Sequence, residues 1–289
     1  MLLIGELFVR CLPNPYKLKD AWMNHNASSV ESLILGSSQS EAGINPHLIN
    51  NAFNLAMPNG MLEYDDYLLR KYSSHYNQLK RVFLEISYYN LFAQEFEEQP
   101  KSRYRAMNYR IYMNYPKHPY SPVYNLESYD LNYLRFHIEN GLKYLIKGTP
   151  LVDTCDSLGW VGMTSCIEKE NYDLFLSDME KTIKAINCKD LGLATKNIKH
   201  LNNMLSYCSQ HNITPYIIIM PMTKALIKKL NSNQLYILKE QANSYREQGI
   251  TILDYLESPL FEKEDFANSN HLNCKGANKL TKELIKTTT

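Results

Sequence analysis

The chain has 289 residues, 44% of them hydrophobic and 21% charged, and a formal net charge of +1. That length buries one substantial core and favours a single domain with an insertion over two domains. The near-neutral balance excludes a dedicated nucleic-acid binder, which needs a basic stripe.

Met1-Leu2-Leu3-Ile4-Gly5 is apolar, but Glu6 and Arg10 interrupt it early. It is too short to span a bilayer and has no cationic stretch before it, so it is not a complete signal peptide. As the tail of a membrane anchor it would make the protein membrane-associated. Residues 1–30 are read as an N-terminal extension, and 31–289 as the folded domain.

Ser32-Leu33-Ile34-Leu35-Gly36 is a short apolar run that stops at small residues, as a buried strand entering a tight turn does. Ala52-Phe53-Asn54-Leu55-Ala56 is a second strand candidate, and Leu62, Leu68, Leu69 and Tyr72 fit a helix. Arg81 to Ser87 is a third strand. From about 90 to 190 aromatic and charged residues mix with five prolines, which predicts a mainly helical and looped insertion, placed over the end of the sheet that carries the site. Beyond it, 197–210 predicts a helix, 215–221 a strand, 225–248 a helix, 250–254 a fifth strand and 276–286 a closing helix.

Short apolar strands separated by helices imply an α/β, three-layer sandwich with a parallel, roughly five-stranded sheet. Functional groups in such folds gather at the carboxyl ends of the strands. Ser37-Ser38, Asn59-Gly60, Ser87 to Asn90 and Asp254 all fall there.

The 22 tyrosines, many between Tyr64 and Tyr144, suit either a sugar-binding groove or an amphipathic helical shell. The six cysteines show no metal-ligand rhythm. Cys155 and Cys166 would bridge a loop in an exported protein, and unpaired thiols are the alternative. No metal or organic cofactor is called for, since neither a Walker-type loop nor a His/Cys ligand set is present.

A serine hydroxyl becomes nucleophilic only when a positioned base takes its proton. Ser38 follows a strand and precedes a predicted helix at Gln39 to Gly43. There its hydroxyl points out of the sheet while backbone amides of the turn face a developing oxyanion. The competing reading is a turn with N-capping serines. His271 lies in Asp265-Phe-Ala-Asn-Ser-Asn-His-Leu-Asn273, on a loop before a helix, and is free to reach a neighbouring strand end.

Leu-Gly-Ser-Ser after the first strand, Phe-Asn-Leu-Ala with a following glycine at the second, and His-Leu-Asn-x-x-Gly-Ala near the end resemble the SGNH hydrolase superfamily of GDSL-like esterases and acyltransferases. The nearest flavour is the cell-envelope branch with Gly-Ser-Ser in place of Gly-Asp-Ser, including Bacteroides-type proteins. Asn14-Pro15-Tyr16-Lys17 and Asn45-Pro46 add to it. The similarity covers the sheet elements at both ends and not the insertion.

This resemblance implies a flavodoxin-like sheet, Ser38 as nucleophile, His271 as base, and an oxyanion site made by the Ser38 and Gly60 amides with the Asn90 side chain. The family's aspartate, three residues before the histidine, is Asn268 here. Asn268 then orients the ring, or Asp265 or Asp254 supplies a carboxylate from elsewhere, or hydrolytic activity is largely lost. The implied substrate is an acylated carbohydrate or small ester, attacked by water or by a sugar hydroxyl, outside the cytoplasmic membrane; a cytoplasmic location stays open. Two rivals belong to other classes. One is a weakly active or inactive glycan-binding or assembly protein, and the other a phosphate binder using the Ser37-Ser38 turn as an anion site.

Overall fold

The computed structural model describes residues 2–99, 102–116, 126, 131–148, 154–163, 172–187 and 190–288. Five apolar segments form one parallel sheet: β1 (Ser32–Leu35), β2 (Ala52–Asn54), β3 (Arg81–Glu85), β4 (Thr214–Ile219) and β5 (Thr251–Asp254). Their order is β2-β1-β3-β4-β5, the doubly wound arrangement that reverses direction beside β1. Every residue of β1 to β3 is buried except Arg81, so these strands read as continuous apolar runs rather than alternating ones.

The helices of this sheet region are α3 (Ser38–Gly43), α4 (Leu62–Lys71), α7 (Tyr172–Ile186), α8 (Leu193–Gln210), α9 (Lys224–Ile227), α10 (Ser232–Glu247) and α11 (Cys274–Thr288). α4 packs on α8, and α3 packs on α11. Right-handed crossovers put these two pairs on opposite faces, because the step from β1 to β2 runs opposite to the later steps. The predicted α/β three-layer architecture is thus present. The segment predicted as one helix over 225–248 is two, α9 and α10. The Asn231 side chain caps α10 by accepting the amides of Asn233 and Gln234, and the Asn231 amide itself donates to the Tyr88 hydroxyl at 2.8 Å.

The chain divides into two compact units. One comprises Asn26–Ala93 and Ser157–Thr289 and contains the sheet. The other comprises Met1–His25 and Gln94–Asp156, so the N-terminal extension shares a unit with part of the segment expected as an insertion at about 90–190. It holds α1 (Leu2–Cys11), most of α2 (Pro15–Asn26), α5 (Arg103–Tyr112) and α6 (Leu131–Lys147). Its interior is aromatic: Tyr109 meets Tyr16 edge-on at 5.1 Å and stacks with Phe96, while Tyr104 stacks on Tyr133 at 4.4 Å. Tyr64, Tyr72, Tyr88 and Tyr109 are fully buried and serve packing. Cys166 lies outside the described residues, and with it the Cys155–Cys166 bridge.

Candidate active site

At the carboxyl end of β1 the chain turns sharply through Gly36, whose φ of +145° suits only glycine. A methyl group there would meet Glu85 Cβ at 2.6 Å. From Ser32 to Pro46 every residue is buried except Ser38. Ser37 caps α3, its Oγ accepting the Gln39 amide, so the capping reading and the nucleophile reading fall on adjacent serines.

Ser38 Oγ lies 2.8 Å from His271 Nε2. The histidine stands on a narrow loop closed by an antiparallel bridge between Phe266 and Leu272 and by the Ala267 amide donating to the His271 carbonyl. Thr223, after β4, pins this loop by donating both its amide and its hydroxyl to the Ser269 carbonyl. From the other side, Gln39 Nε2 donates to the Asn270 carbonyl at 2.8 Å, tying the first turn of α3 to the loop.

Asn268 settles the tautomer. Its Oδ1 faces the backbone amides of Asn270 and His271 at 3.2 and 2.9 Å and His271 Nδ1 at 3.0 Å. Backbone N–H groups only donate, so the atom facing them is the amide oxygen, and an oxygen facing Nδ1 requires the ring proton there. Nε2 is then left with its lone pair toward Ser38, the arrangement a general base needs. Asn-for-Asp substitution in a serine protease costs about 10⁴-fold because it favours the wrong tautomer; here the loop's own amides remove that part of the penalty. Burial lowers His271 from its usual range to about 4, so the ring is neutral across physiological pH.

Both ring nitrogens therefore have partners, and neither proposed carboxylate reaches them. Asp265 is buried, accepts the Glu262 amide and pairs with Lys279 at 2.5 Å. Asp254 is exposed and accepts the Leu256 amide at 3.1 Å, closing the turn after β5.

The expected oxyanion donors need correction too. The Gly60 amide donates to the Met57 carbonyl at 2.8 Å. Gly60 is glycine for space, since a methyl group there would sit 2.1 Å from the Gly36 carbonyl oxygen. Asn90 is wholly buried; its Oδ1 accepts the Ser87 amide and its Nδ2 donates to the Glu85 carbonyl, so it serves its own turn. The Ser38 amide, first in α3, has no acceptor among the described residues and remains as a donor.

Two residues to which the sequence reading gave no site role, Glu85 and Asn54, organise the Ser37-Ser38 turn. The buried carboxylate of Glu85, at the end of β3, accepts Ser37 Oγ at 2.6 Å, the Ser37 amide at 2.9 Å, Ser40 Oγ at 2.7 Å and the Ser40 amide at 3.1 Å. It takes up the Ser37 and Ser40 amides and leaves the Ser38 amide as the one donor of this turn without an acceptor among the described residues. Buried Asn54 ties down the end of α3, Nδ2 donating to the Ser40 and Ile44 carbonyls and Oδ1 accepting the Ala56 amide. Beneath the turn, Asp65 is held well above the usual carboxylate range by burial and by the neighbouring Glu85 charge.

A cavity of about 590 Å³ adjoins the start of the histidine loop at Phe266, with Met222, Phe261 and Phe266 among its buried lining and Lys224 and Glu264 among its exposed lining. Thr223 lines it as well. Among the described residues no cluster of His, Cys, Asp or Glu is arranged to hold a metal ion. No protein-family model matches the chain, and no curated protein matches it in sequence.

Proposed function

We propose that the chain is a serine-dependent esterase or O-acyltransferase of the SGNH type, acting on an acylated carbohydrate or another ester of the cell envelope. One observation carries this reading: Ser38 Oγ stands 2.8 Å from a neutral His271 Nε2 whose tautomer Asn268 fixes from behind. In the first step the Ser38 proton passes to Nε2 as Oγ bonds to the ester carbonyl carbon, and the Ser38 amide donates to the oxyanion. Collapse breaks the carbon–oxygen bond of the ester, and the leaving alkoxide takes the proton from Nε2. Water or a sugar hydroxyl then gives its proton to Nε2 and attacks the acyl-serine, and Ser38 leaves and is reprotonated.

A second reading, a catalytically weak glycan-binding or assembly protein, is favoured by the spent Gly60 and Asn90 amides and by the missing charge behind His271. A fluorophosphonate probe separates the two. The esterase reading expects covalent labelling of Ser38, abolished in Ser38→Ala and in His271→Ala, together with p-nitrophenyl acetate turnover. Folded protein with neither labelling nor turnover leaves the binding reading standing.

A further inference from the structure

Among the described residues, ten of the fourteen exposed large hydrophobic side chains lie on α1 and α6, which pack on each other within one unit. Their packing fixes the direction. A methyl on Gly5 would approach Ile138 to 2.9 Å, and one on Gly141 would approach Phe8 to 2.9 Å and Leu12 to 2.4 Å. The early part of α1 thus meets the middle of α6 and its end meets Gly141, so the two helices run parallel, side by side.

Leu3, Ile4 and Leu7 share one face of α1, being three and four residues apart. Leu142, Leu145 and Ile146 share a face of α6 by the same spacing. Ile4 is 72% exposed and Ile146 76%. A solvated helix pair does not ordinarily carry so much apolar surface in one place. The charges around it are one-sided. Glu6 pairs with Arg10 and Glu139 with Arg135, which leaves Lys143 and Lys147 of α6 in surplus, both exposed.

We infer that the α1–α6 pair is a docking face for an anionic phospholipid surface, the two helices lying in the headgroup region with the lysines reaching to phosphate. Among the described residues no helix is long and apolar enough to cross a membrane, so the contact is with the surface. A second copy of the same face is a poorer occupant, because a two-fold interface brings the surplus lysines together. Leucines beside lysines suit an apolar layer capped by anions.

The test is co-sedimentation of the full chain with vesicles of phosphatidylcholine and phosphatidylglycerol in equal parts, and with phosphatidylcholine alone. Binding is expected to the anionic vesicles only, falling at least tenfold in 0.5 M salt. Leu3→Glu with Leu7→Glu, Leu145→Glu with Ile146→Glu, and Lys143→Glu with Lys147→Glu should each lower it at least tenfold with unchanged circular dichroism. Absent binding to anionic vesicles, or equal and salt-insensitive binding to both kinds, overturns the proposal. So does a dimer in light scattering that the leucine substitutions dissolve. None of these outcomes depends on Ser38 chemistry.

Discussion

The two turns that meet at Ser38 and His271 are built in opposite ways. Beneath the serine, a full negative charge on Glu85 gathers four donors from Ser37 and Ser40. Behind the histidine, a neutral amide on Asn268 gathers three. In a serine triad the anion stands behind the imidazole and stabilises imidazolium as it forms. Here the charge is spent on holding a backbone turn, and the imidazole is held by geometry alone. On the proposed esterase mechanism the histidine is consequently a ready base in its ground state and a poorly compensated cation in the transition state.

Removing the charge from its present place should have the largest effect. Glu85→Ala strands the hydroxyls and amides of two buried serines, and a loss of about 3–5 kcal/mol is expected, as for other broken buried ionic networks. Denaturant unfolding measures it. Glu85→Gln keeps the volume and one accepting oxygen, so its loss should be about 1–3 kcal/mol. Equal stability of Glu85→Gln and the parent would mean that shape, not charge, holds the turn.

Putting a charge where the triad expects it is the next largest change. In Asn268→Asp the carboxylate accepts the same amides and the same Nδ1–H, and the imidazolium gains a counter-ion. An opposite charge at this range raises an imidazole pKa by roughly 1–3 units. Turnover of p-nitrophenyl acetate should rise by about tenfold, the equivalent of one such unit, and the acid limb of the pH profile should move upward. A drop in turnover would show that the asparagine geometry is not a stand-in for a carboxylate.

The ease of reading these parts from sequence followed how locally each is determined. Ser38 lies at a strand end and His271 three residues from its orienter, so both, with Asn268, were legible as a motif at fixed spacing. Gly60 and Asn90 were misassigned because their residue types are right while the fate of a particular N–H is not written in the sequence. It depends on whether Met57 O or Glu85 O happens to face it. Glu85 was invisible as a partner because its four donors are 45 to 48 residues away, although a charged residue ending the apolar run Val82-Phe83-Leu84 was itself a signal. The strands were legible throughout, since five short apolar runs separated by helical segments have few alternatives. The break between α9 and α10 was missed because helical periodicity hid the Asn231 cap.

Smaller effects probe the same comparison by pH. On the proposed mechanism the parent works through neutral His271, so turnover should hold down to about pH 5 and fall as pH passes through about 4. In stability the sign is set by the same group. The unfolded chain takes a proton near pH 6.5 that the folded ring refuses until about 4. This contribution is therefore full above 6.5 and declines as pH falls toward 4. A rate profile breaking near 6.5 would mean that water reaches the ring.

The smallest expected effect lies under the serine. Asp65 receives the Gly36 amide, while its Oδ1 has no hydrogen-bond partner among the described residues, and burial beside Glu85 raises its pKa well above the usual carboxylate range. Its folded pKa stands above 3.8, so its contribution to stability is complete below that pH and is lost as pH rises through the folded value. Asp65→Asn keeps an oxygen for the Gly36 amide and has no proton to lose. Stability at pH 8 should increase by on the order of 1 kcal/mol, the scale of ordinary stabilising substitutions, with little change at pH 3.5. A loss at both pH values would show that the Asp65 hydroxyl donates to Glu85, making the two acids a single proton-sharing support for the turn.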